Sequence, residues 1–305
     1  MRLVLGFLML VLAAPAFAQG GGRIVEVTDF ATTTVKPRNI SIWLPPGYEA
    51  SGKTRYPVIY MHDGQNIFLP GRAYGGKEWG IDEAMTRLIA TKQVRPAIIV
   101  GLWNTDLRYR EYFPTKWGAK LPAESLARHA RSEPWPPLAD NYLAFLVKEV
   151  KPYIDSHYRT LTGPQHTGVM GSSMGGLISL YAIAEYPQIF GRAACVSIHL
   201  PMGEVEGPNA PAPDEPQRVA NALNTYLATS KLRPDAVHRL YLDQGTGVLD
   251  HHYTPYFSAV ESVLRSRGWN ASKLTTRVFD GADHNEAAWR QRAEVLLAFL
   301  LDPPK

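Results

Sequence analysis

Apolar and polar positions alternate with a period of two in Ile24–Phe30 and Asn39–Leu44, the pattern of half-buried antiparallel strands. Pro57–Met61 and Ala97–Leu102 are instead unbroken apolar runs, as strands covered on both faces require. Thr167–Met170, Ala193–Ile198, Arg239–Leu242 and Leu274–Phe279 continue that series. Between the runs the apolar spacing becomes helical, at about 80–91, 138–156, 175–185, 217–229, 254–266 and 286–301. Strands alternating with helices over most of a chain predict an α/β fold: a mostly parallel sheet of about eight strands, helices on both faces. The antiparallel pair at the start is expected at one edge.

Two segments interrupt the rhythm. The stretch 114–137 carries Pro114, Pro122, Pro134, Pro136 and Pro137 with Trp117 and Trp135, and 201–216 is rich in glycine and proline. Loops of this length in a compact domain are commonly functional. Both follow predicted strand ends, where α/β sheets carry their sites, so they are expected to wall a substrate cleft.

Composition changes this picture little. With 305 residues and 45% hydrophobic content the chain can bury one large core, and 19–305 is expected to form a single domain. Residues 1–18 read as a signal peptide: Arg2, a short apolar stretch from Leu3 to Ala14, and the small-x-small site Ala16-Phe17-Ala18. That stretch falls short of the roughly 20 residues a bilayer requires, so the expectation is an exported, soluble protein of the periplasm or extracellular space. Loss of Arg2 takes the formal net charge from +4 to +3. The basic residues form no stripe, which argues against nucleic-acid binding. Cys195, the single cysteine, sits in an apolar run and reads as a packed thiol. Oligomeric state leaves no mark in the sequence.

The candidate chemistry centres on Gly171-Ser172-Ser173-Met174-Gly175-Gly176, which follows an apolar strand and opens a helix. In a G-x-S-x-G elbow the serine occupies a strained turn, so its neighbours must be small, and its hydroxyl stands above the sheet. Only Ser173 has glycine on both sides at that spacing. Serine is a weak nucleophile until a base, oriented by a third group, takes its proton. In α/β-hydrolases the order is serine, acid, histidine. His284, in the turn Phe279-Asp280-Gly281-Ala282-Asp283-His284-Asn285, is the expected base, ahead of His199, His238, His251 and His252. Asp250, beyond the strand Arg239–Leu242, is the expected acid, with Asp243 second and Asp280 and Asp283 behind it. His251 and His252 lack the spacing of a hydrolase zinc motif, so neither metal nor other cofactor is expected.

Several motifs together resemble the esterase D-like family of α/β-hydrolases. They are Tyr60-Met61-His62-Asp63-Gly64-Gln65-Asn66-Ile67-Phe68, Trp79-Gly80-Ile81-Asp82, Asn104 with Arg110-Glu111-Tyr112, the Ser173 elbow, and Gly281–Asn285 with Trp289. The resemblance runs from about Ile24 to Leu300 and includes siderophore and feruloyl esterases, acetyl-xylan esterases and acyltransferases. It implies an oxyanion hole made by the backbone N–H groups of Gln65 and Met174, with the Gln65 side chain mattering less than its main chain. The chain departs from simpler relatives in placing Asp250 further beyond its strand.

The expected reaction is ester hydrolysis: Ser173 attacks, an acyl-enzyme forms, and water activated by His284 releases the acid. Trp103, Asn104 and His199 are expected to touch substrate, and Trp103, Trp117 and Trp135 would suit an aromatic or bulky ester. An acyltransferase using the same intermediate, and a non-catalytic binding protein on the same scaffold, are the alternatives.

Overall fold

The predicted runs pair into one sheet. A computed structural model describes residues 15–17, 21–49, 52–132, 135–207 and 210–304. Its strands are β1 (Pro15–Phe17), β2 (Arg23–Phe30), β3 (Arg38–Leu44), β4 (Val58–His62), β5 (Ile98–Leu102), β6 (Thr167–Ser172), β7 (Arg192–Val196), β8 (Arg239–Gly245) and β9 (Leu274–Phe279). They lie in the order β1-β2-β3-β5-β4-β6-β7-β8-β9. The β1–β2, β2–β3 and β3–β5 pairs are antiparallel; every pair from β5 to β9 is parallel. Apart from Pro15–Phe17, which pair along β2, the predicted signal segment lies outside the described residues.

The helices are α1 (Ile81–Ala90), α2 (Arg108–Tyr112), α3 (Thr115–Gly118), α4 (Ala123–Ser132), α5 (Ala139–Phe145), α6 (Lys151–His157), α7 (Met174–Glu185), α8 (Glu215–Thr229), α9 (Thr254–Ser266), α10 (Glu286–Arg290) and α11 (Ala293–Leu300). A π-helical turn, Leu146–Val150, joins α5 to α6.

Side-chain alternation divides the core between two faces. Val58 and Tyr60 of β4 join the cluster built with α5, α7, α8 and α9. Ile59 and Met61 join the one built with α1 and α11. That two-sided burial is why the parallel strands read as continuous apolar runs.

The proline-rich segment departs from expectation. Residues 114–137 contain α3 and α4, and Trp117 is fully buried, its indole N–H donating to the Val219 carbonyl. On α4, Ser125 and Arg128 bond the two carboxylate oxygens of Glu215 at 2.9 and 3.0 Å, fastening this helix to α8. Trp117 is therefore a core residue and cannot meet a substrate.

Candidate active site

Parallel strands end on the same side of a sheet, and the loops leaving β4, β5, β6, β7, β8 and β9 converge there. Ser173 sits between β6 and α7 with φ 56° and ψ −123°, a sterically costly conformation for an L-residue. Its N–H donates to the Val196 carbonyl and its own carbonyl accepts from Gly176, Leu177 and His199, so the turn is held on three sides. A Cβ on Gly171 would lie 2.8 Å from the Gly175 backbone, which is why the elbow demands glycine there.

His284 Nδ1 lies 2.5 Å from Asp250 Oδ1. The other carboxylate oxygen accepts the Ser197 hydroxyl at 2.7 Å and the Gly245 N–H at 2.6 Å. Burial raises the Asp250 pKa, but the His284, Ser197 and Gly245 contacts outweigh it and hold the carboxyl below the usual range. Gly245 is required by close approach: a Cβ there would sit 2.0 Å from the Ala282 carbonyl oxygen. The His284 ring is held edge-on by Tyr253 and Trp289, at centroid distances of 5.4 and 5.1 Å.

Asp243 does not reach His284. It is fully buried, accepting from the Ser197 N–H at 2.8 Å and the Tyr241 hydroxyl at 2.9 Å, with Arg292 at 3.5 Å. Burial pushes its pKa up to about 6 against the pull of Arg292.

The loop after β4 is organised by Asp63, itself at φ 59°. Arg108 grips both Asp63 oxygens at 2.7 Å, and the Asn104 side chain donates to one of them at 2.6 Å. Burial raises the Asp63 pKa, but Arg108 and Asn104 override it and keep the carboxyl below the usual range. The Gln65 side chain accepts the Asn104 N–H at 3.2 Å, so it ties the β4 and β5 loops together. Among the described residues the backbone N–H groups of Gln65 and Met174 donate to no protein acceptor. An open cavity of about 420 Å³ is lined by Ser173, His284, Gln65, Asn104, Arg108 and Trp289, among others.

Other expected substrate contacts fall elsewhere. Trp103 does not line this cavity; its indole N–H donates to the Ser41 hydroxyl of β3 at 2.8 Å. His199 does not line the cavity; its backbone N–H donates to the Ser173 carbonyl and its Nδ1 lies 2.5 Å from the Tyr253 hydroxyl, and burial holds its pKa down at about 3, so it is neutral. Trp135 is 42% exposed and packs edge-on against Phe113. No described residue of 114–137 or 201–216 lines the cavity, since these segments bond to each other through Arg128 and the Glu204 carbonyl. Arg110, in the motif compared above, donates to the Pro136 carbonyl at 2.8 Å; Arg108, two positions earlier, faces the cavity. Sequence reasoning missed Arg108, Ser197, Tyr253 and Arg292, which lie in no spacing pattern of their own. No cluster among the described residues has the makings of a metal site, and no described helix is long and apolar enough to cross a membrane.

The sheet order and strand-end loops define an α/β-hydrolase. Residues 31–299 match the family model described as "Putative esterase", and the chain belongs to that family of carboxylic ester hydrolases. It is 27% identical over 254 residues to the uncharacterized protein YbbA of Bacillus subtilis, covering 81% of this chain and 86% of YbbA. It is also 27% identical over 279 residues to an endo-1,4-beta-xylanase/feruloyl esterase of Xylanibacter ruminicola, covering 90% of this chain but 30% of that protein. Among solved structures, a ferulic acid esterase superposes with a TM-score of 0.62 at 20% identity, over 92% of this chain and 97% of its own.

Proposed function

We propose that the chain is a serine esterase in which Ser173 attacks an ester carbonyl, His284 takes its proton and Asp250 orients His284. The observation that carries this is the His284–Asp250 contact above the same cavity as the strained Ser173 turn. A carboxylate at Nδ1 leaves Nε2 as the base, and stabilises the imidazolium formed on attack. The tetrahedral oxyanion is received by the unengaged N–H groups of Gln65 and Met174, the latter at the N-terminus of α7. His284 then returns the proton to the departing alcohol, and water attacks the acyl-enzyme by the same route.

The substrate class favoured is a hydroxycinnamoyl or similarly small ester met outside the cytoplasm. The cavity volume, the Trp289 and Tyr74 rings on its wall, and the two feruloyl esterase likenesses support it. The signal-like pattern of Met1–Ala18 supports export. A panel of p-nitrophenyl esters, feruloyl esters and catecholate siderophores tests the reading, with Ser173→Ala as control. Wild type should favour the feruloyl esters, and the variant should lose on the order of 10⁵–10⁶ in kcat. Full activity in Ser173→Ala sinks the mechanism; preference for another ester sinks the substrate class alone.

A further inference from the structure

Ser197 immediately follows β7, with its side chain fully buried and φ at 38°, a left-handed conformation that glycine would hold more cheaply. Its hydroxyl has three neighbours: Asp250 Oδ2 at 2.7 Å, Arg292 Nη2 at 2.7 Å and Trp289 Nε1 at 3.0 Å. Indole N–H and guanidinium are donors only, so they occupy the two lone pairs of the oxygen. The single hydroxyl proton then has one place to go, the Asp250 carboxylate. Direction follows from the donor inventory without any hydrogen being located.

We infer that Ser197 is a positioning residue for the ester hydrolysis proposed above, fixing through its hydroxyl which oxygen of Asp250 is presented to His284. The Ser197 hydroxyl and the Gly245 N–H both bind Oδ2, leaving Oδ1 to the imidazole. The hydroxyl is itself held by donors from two further places, Trp289 on α10 and Arg292 at the start of α11. Arg292 lies between that hydroxyl and Asp243, whose carboxylate also takes the Ser197 N–H. Asp243 thus anchors the residue that orients the acid, and the unusual backbone of Ser197 is what lets its N–H and hydroxyl serve the two aspartates at once. The inference rests on the triad reading, and the test separates the two.

The measurement is a double-mutant cycle on p-nitrophenyl acetate. Ser197→Gly removes the hydroxyl while suiting the backbone. It should lower kcat about 10- to 100-fold with KM unchanged, the scale seen for outer partners that orient metal-ligating histidines. In an Asp250→Asn background the same substitution should cost less than about threefold, because residues acting through one another are not additive. Ser197→Cys, which keeps a weak donor in place, should recover part of kcat, and it carries the same comparison if the glycine variant does not fold. Equal losses in both backgrounds, or full kcat with only a lowered Tm, would overturn the inference. Activity in Ser173→Ala would instead overturn the triad reading; an inactive Ser173→Ala with unaffected Ser197 variants leaves that reading standing and removes this one.

Discussion

Asp243 and Asp250 are both buried aspartates beyond the same stretch of chain, yet they have different neighbours and should fail differently. Asp250→Asn removes the charge facing His284 and should cost about 10⁴ in kcat with the fold intact, by analogy with the triad aspartate of serine proteases. Asp243→Asn leaves Arg292 without its buried counter-charge. Its effect should appear as a stability loss of about 3 kcal/mol in urea unfolding, with kcat changed less than tenfold. Steady-state kinetics and urea titration of the two variants check the contrast. Similar kinetic losses in both would remove the distinction.

At the scale of elements, α3 and α4 lie where the sequence predicts a loop that walls the cleft. Proline is a poor guide there: Pro114 immediately precedes α3 and Pro122 immediately precedes α4, positions where its fixed φ suits a helix entry. Read along the chain, the same residues look like breakers. Trp117→Ala should accordingly cost about 4 kcal/mol as a large core truncation. Trp103→Ala, outside the cavity lined by Ser173, should leave KM for feruloyl esters within about twofold. Thermal or urea unfolding beside kinetics distinguishes the two tryptophans. The strands were legible because two-sided burial writes itself as apolar runs, and Ser173 and His284 because fixed neighbours mark their turns. Helix 286–301 was legible as one span but is two, broken where Arg292 turns inward to Ser197. Arg108, Ser197, Tyr253 and Arg292 were hidden because their roles depend on partners brought near only by the sheet order.

Across the whole molecule, burial sets the response to acid. The His62, His129 and His199 imidazoles are held down at about 3, chiefly by burial. Unfolding releases each to an ordinary value near 6.5, so between pH 6.5 and 3 the unfolded chain binds these protons and stability falls as pH falls. Asp82 and Asp243 work in the opposite sense: burial lifts both to about 6, so the folded state holds their protons between pH 4 and 6. Among these five groups, three histidine protons taken up outnumber two carboxyl protons released on unfolding at pH 5. The urea midpoint should therefore drop as pH is lowered from 6.5 to 4.5, and His62→Gln should flatten that slope. A midpoint independent of pH over this window would count against it. Removal of residues 1–18 also deletes the short edge strand β1, and should leave kcat and Tm essentially unchanged, because the eight remaining strands carry every residue placed at the site.

The candidate nucleophile and its base stand 111 positions apart in the chain, and the base follows β9, the outermost strand at its edge of the sheet. During synthesis or refolding the molecule therefore passes through a period in which it carries a serine elbow and no base. Turnover becomes a clock for the final docking event. In a refolding experiment, regained hydrolysis should coincide with or trail the burial of Trp289 and never precede it, so a partly made chain is chemically silent.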